Sequence, residues 1–255
     1  MTNLIKAETY KLLRNKTFWV LIASITGLSA LLHCLILMDW WFLSGTEFDK
    51  AGLSELNALS PFTTTLFFNL IVSTLAGFYI STEFTQSNVI ENQIMSGNKR
   101  TNILMSKYLV FSIASFIVVI LIPLIAAIIL VILLGHGDIF SLANVMYLGR
   151  AYSLFALQFL SFTAIVLLIA IVTEDSGKTI LFTLLLTIVM FAIEKLITVP
   201  FIEMLYEHTF FYQFSEAFKV SLTSGDIIKT ILIGVVSLIV IILCGIIIIN
   251  RKEIK

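Results

Sequence analysis

Six apolar runs, each long enough to cross a bilayer as a helix, leave this chain few folds to choose from. They fall at about residues 17–38, 61–82, 108–134, 148–172, 179–197 and 229–250. In hydrocarbon a backbone amide has no water to bond, so a long apolar run satisfies its own amides as a helix. Hydrophobic residues make up 59% of the chain and charged ones 13%, so the charge has to collect between the runs. The expected fold is all-α, a polytopic membrane protein with a single transmembrane domain over residues 1–255. Pro61 is expected to open the second span, where a missing N–H costs nothing, and Pro123 to kink the third in its middle. Cys34 and Cys244 fall late in the first and last runs, at opposite faces, which predicts no disulfide.

Orientation follows from the basic residues. Lys6, Lys11, Arg14 and Lys16 precede the first run, and Lys99, Arg100 and Lys107 separate the second from the third. With Lys178, Arg251, Lys252 and Lys255 they are eleven of the sixteen Lys and Arg, all on the side that holds both termini. Positive segments stay in the cytoplasm, so the N and C termini are both expected inside. Ten of the sixteen acids lie in the outward segments, and Trp40-Trp41 suit the outer interface.

Three polar segments stand out. Residues 1–16 read as a helix with Ile5, Leu12 and Leu13 in one arc and Lys6, Lys11 and Arg14 opposite. That pattern fits a helix lying on the membrane surface, or a solvated one. Residues 83–107 are the longest inner segment. Val89, Ile90 and Ile94 share one side of a short helix, and Glu91, Asn92 and Gln93 keep the rest polar. Ser96-Gly97-Asn98 predicts a helix stop and turn, and Thr101 a cap for the helix that follows. In residues 198–228 Phe201, Tyr206, Phe210, Phe211, Tyr212 and Phe214 crowd behind Pro200. The segment reads as short helices dipping into the outer leaflet, or as an amphipathic loop helix, and its rings are candidate contacts for an amphipathic ligand.

Reactive constellations are scarce. His33, His136 and His208 have no metal-ligand spacing. Gly177-Lys178-Thr179 imitates the end of a P-loop, but Val172 stands where its first glycine belongs. No catalytic residue, metal, cofactor or nucleic-acid partner is therefore expected. An ion-coupled carrier places ionisable groups at mid-membrane. Here the notable polar groups are Asn69 and Gln158, which read as hydrogen-bonding partners between helices. The energy source is expected outside the chain.

This layout resembles the membrane subunits of bacterial type 2 ABC exporters. Glu83 leaving span two, the short helix, Gly97, Arg100 and Lys107 entering span three stand in the places the family uses, with Gly97-Asn98 replacing its usual proline. The resemblance implies that the short helix is a coupling helix docked on a separate ATPase. Glu83, Val89, Ile90, Glu91, Ile94, Gly97, Lys99 and Arg100 would be its coupling residues. Lys99 and Arg100 could pair with acids of the ATPase or with anionic lipid. It further implies an ABC ATPase dimer holding ATP and Mg, a second permease subunit, identical or paralogous, and a lipid setting in the bacterial cell membrane. The opening Asn3 to Leu12 is similar to small permeases of bacitracin, lantibiotic or other antimicrobial-peptide resistance, which implies an amphipathic peptide or lipid-like cargo. The alternative is a non-transporting immunity or sensor protein that captures a peptide at its outer face. An intramembrane enzyme is disfavoured, because no span carries paired acids or a His–acid set.

Overall fold

The computed structural model describes residues 1–85, 87–196 and 199–251, apart from the side chains of Ser87, Asn88 and Leu196. The expected end of the fifth span at 197, the start of the aromatic segment at 198, and Lys252 and Lys255 lie outside the described residues. Among the described residues the chain is helices and their connections. A surface helix α1 (Thr2–Arg14) leads into six membrane-length helices: α2 (Lys16–Leu37), α3 (Thr65–Thr85), α5 (Arg100–Leu133), α6 (Leu142–Thr173), α7 (Ser176–Leu196) and α10 (Ser224–Arg251). Between them lie the short helices α4 (Ser87–Met95), α8 (Pro200–Glu207) and α9 (Phe210–Glu216).

The bundle has an inside and a rim. About 61% of the most apolar stretch of α3 and of α6 is buried, against 17% in α2 and α7 and 11% in α10. So α3 and α6 form the centre with α5 beside them. The centre is aromatic: Phe68 of α3 meets Phe155, Phe159 and Phe162 of α6 and Phe214 of α9 at 5.0–5.8 Å between ring centroids. Lipid offers apolar helices no hydrophobic incentive to associate, so close contact and hydrogen bonds must hold them. Asn69 Nδ2 donates to Thr183 O (2.9 Å) and Thr187 Oγ1 (2.8 Å), joining α3 to α7. Gln158 Nε2 donates to Thr230 O (2.8 Å) and Ser161 Oγ to Gly234 O (2.9 Å), joining α6 to α10. A Cβ at Gly234 would lie 2.7 Å from Gln158 Nε2 and 2.8 Å from Leu157 Cγ, so glycine leaves the room that these two side chains of α6 occupy.

The details depart from sequence expectation in several places. The second membrane helix begins at Thr65, because Pro61 belongs to a separate turn, Ser60–Thr63, and Thr64 is extended (ψ 127°). Lys99, not Thr101, stands at the N-cap of α5, and it makes no side-chain cap. Helix α5 carries a π turn at Ile117–Leu121 just before Pro123, which widens the backbone around Val119, whose carbonyl the proline ring would strike. Helix α6 starts at Leu142 behind the Ser141 cap, about two turns earlier than residue 148. The connection after α2 is no plain polar loop. Leu53, Leu56 and Leu59 are fully buried, and their three-residue spacing suits the 3₁₀ helix Ser54–Leu59 that carries most of them. On α1 the buried edge is Leu4, Glu8 and Leu12, whereas Leu13, placed with the apolar arc, is 49% exposed. The buried edge is shifted toward Glu8, which is drawn inward by Lys11 of its own helix and Lys107 of α5.

Candidate functional site

At the end of the bundle that holds α1 and the last turn of α10, six side chains from four helices share one polar centre. Glu8 Oε2 pairs with Lys107 Nζ at 3.0 Å, and both side chains are fully buried. Lys107 also contacts the Glu83 carboxylate, while Lys11 bridges Glu8 (3.0 Å) and Glu83 (3.1 Å). Tyr79 donates to Glu8 Oε2 (2.9 Å) and Gln93 Nε2 to Glu8 Oε1 (3.2 Å). Two carboxylates face two ammonium groups, so the centre is neutral and its buried charges are matched. Burial alone would raise the Glu8 pKa, but Lys107 and Lys11 together outweigh it and hold the carboxyl below its ordinary value. Burial alone would lower Lys11; Glu83 and Glu8 outweigh it and hold the ammonium above its ordinary value.

Beside this centre stands α4. Its end is a Schellman motif: Asn98 N donates to Gln93 O, Gly97 N donates to Ile94 O, and Gly97 sits at φ 84°. Of the residues the sequence singles out, Ile90 is buried in the chain's own core and Ile94 packs against that core. Val89 and Glu91 are half-buried, Gly97 and Lys99 exposed. Among the described residues the outward surface of α4 is instead Asn92 and Met95, with Ser96 exposed just beyond its end and Met95 84% exposed. Arg100 donates to the carbonyls of Ile249 (3.0 Å) and Asn250 (3.3 Å), capping the last turn of α10. Glu83 belongs to the buried polar centre. The eight residues thus divide between those that fasten α4 and its neighbours inward and those left at the surface. Sequence reading missed Glu8, Lys11, Tyr79 and Gln93; the one signal was an acid midway between Leu4 and Leu12 on a helix edge.

The opposite end holds a cavity of about 390 Å³ between α3, α7, α9 and the connection after α2. Tyr206, Phe211, Phe214 and Phe218 of the aromatic segment line it, with Phe48, Thr65, Thr187 and the acids Glu47 and Glu194. Phe210 stacks on Phe211 at 4.5 Å, and Tyr212 meets Tyr206 edge-on at 5.8 Å; neither lines the cavity. Phe201, 64% exposed, is likewise not in the lining. Tyr206 donates to Glu194 Oε2 at 2.9 Å.

Six membrane-length helices, with a matched polar base at one end and a short helix set beside it, define a multi-pass, all-α membrane protein. Residues 4–193 match the family described as ABC-2 family transporter protein. That is well over half of the sequence: the chain belongs to this family, and is a membrane component of an ABC transporter. No curated protein and no solved structure matches it.

Proposed function

We propose that this chain is the permease subunit of an ATP-driven exporter, working with a separate ABC ATPase dimer and a second permease, identical or paralogous. The observation that carries the reading is α4: a firmly stopped helix at the terminal end, its inner edge fixed in the core and Asn92, Met95, Ser96 and Lys99 turned outward. Such a surface suits a partner that pushes on it, and Gln93 on the same helix is bonded to the buried polar centre. ATP and Mg belong to the partner in this reading. With the terminal end in the cytoplasm of a bacterial cell, the cavity opens toward the outer leaflet. There its rings would meet an amphipathic or antimicrobial peptide, such as bacitracin or a lantibiotic, or a lipid-like molecule.

The test compares Met95→Asp with Ile90→Asp. Met95→Asp is expected to leave membrane levels normal and to abolish co-purification of an ATPase co-expressed with the chain. Ile90→Asp, which buries a charge in the chain's own core, is expected to lower membrane level itself. Full ATPase recruitment by Met95→Asp would remove α4 from the interface.

A further inference from the structure

The cavity at the end opposite α1 is walled by rings, yet two acidic residues line it. Glu47 comes from the short helix Glu47–Lys50 and Glu194 from the last turn of α7. Each is partly shielded, with side chains 29% and 32% exposed, and each is paired with a lysine standing further out in solvent. Lys50 is 59% exposed and Lys195 57%. Pairs with such exposed lysines contribute little, so another cation can replace either lysine at small cost. Tyr206 already holds Glu194 Oε2, leaving Lys195 on Oε1 as the exchangeable partner. The one basic residue among the described lining, Lys219, is bound to Glu216 at 2.6 Å, with Glu47 a weaker influence on it.

We propose that this cavity binds the cationic amine of an amphipathic molecule, its ammonium drawn by Glu47 and Glu194 and its apolar part held by Phe48, Phe211 and Phe214. An anion would face two carboxylates. A neutral chain would fill the rings and leave both acids unused. An alkylammonium or arylalkylammonium uses all of them, with rings beside the cation adding attraction. A volume of about 390 Å³, near the lower end for ligand cavities, suits one such segment, so a peptide would insert a single basic side chain. The inference rests on the reading of the cavity as the cargo site and deepens it by naming the cargo's charge.

The experiment uses the purified full chain in phosphatidylcholine nanodiscs, without ATPase. Three benzophenone probes share one alkyl chain and end in an ammonium, a hydroxyl or a carboxylate. Photolabelled peptides are mapped by mass spectrometry. The ammonium probe is expected to label residues 46–48 or 206–218 at about tenfold lower concentration than the hydroxyl probe. Glu47→Gln with Glu194→Gln is expected to remove that advantage and leave hydroxyl labelling unchanged. Competition on the unaltered chain gives a variant-free arm: n-octylamine should block labelling where n-octanol at equal concentration does not. Equal labelling by all three probes, or equal competition, would overturn the proposal and make the cavity a slot for lipid chains. ATPase recruitment plays no part in this measurement, so loss of the transport reading and loss of the amine site are read separately.

Discussion

Lys107 and Glu8 have no access to water, and each makes the other's charge tolerable. Truncating one member of a buried pair leaves an unmatched charge and typically costs about 3–5 kcal/mol, more than the intact pair itself contributes. Lys107→Met is therefore expected to lower thermal stability in nanodiscs steeply. The double variant Glu8→Gln/Lys107→Met should lose less than the two single losses added together. If the losses simply add, the two residues do not act as a pair. The same centre gives a pH dependence. The Glu8 carboxyl titrates lower in the folded chain than when unfolded, so its stabilisation is complete above about pH 4.5. It fades as pH falls through the folded value below that. Lys11 has the opposite sign: its share is complete below its unfolded pKa and is lost as pH rises beyond the raised folded one. Melting curves of wild type and Glu8→Gln should converge as the pH is taken down through this acid range. Curves that stay parallel would remove Glu8 from the linkage.

Among the elements, the seam between α6 and α10 depends most on a single position. Gly234→Ala puts a methyl group against Gln158 and Leu157, and overpacking of this kind costs about 1–3 kcal/mol. It should also loosen the Gln158–Thr230 hydrogen bond, since Gln158 Nε2 is the atom struck. The check is melting temperature, with amide exchange in α10 as the local readout. Exchange raised elsewhere but not in α10 would contradict this account. The end of α4 illustrates what an element's sequence states outright: Ser96-Gly97-Asn98 predicts a stop, and the Schellman bonds are formed at those residues. The direction α4 faces is not stated. Ile90 and Ile94 mark an apolar edge from sequence alone, but the same edge could cover a partner's surface or this chain's core. Contact with the rest of the chain decides for the core.

At the scale of the whole molecule, the polar base and the far cavity lie at opposite ends of one bundle, with α3 running from Glu83 in the base to Thr65 at the cavity. Arg100 binding the end of α10 and Glu8 binding Lys107 of α5 bring α1 and the last turn of α10 to the base. If the basic residues orient the chain, single cysteines at Met95 and Ser54, in a background lacking Cys34 and Cys244, should react with an impermeant thiol reagent from opposite sides. Reaction of both from outside the cell would reverse the proposed orientation of the base.

The sequence by itself determined the class and the six helices, because hydrocarbon forces long apolar runs to satisfy their own amides and local composition states where such runs are. It marked Gly97 as a turn and Asn69 and Gln158 as bonds between helices, since lone polar groups in an apolar run have few other uses. Tertiary structure alone decided which charges meet. Glu8, Glu83 and Lys107 are spread along about two fifths of the chain, and nothing local to any of them names its partner. It also chose, from a crowded aromatic segment, the four rings that line the cavity, Tyr206, Phe211, Phe214 and Phe218, and brought Glu47 and Glu194 to them. Helix formation is written in neighbours a few residues apart; the pairing of buried charges depends on how whole helices pack, which only the assembled bundle sets.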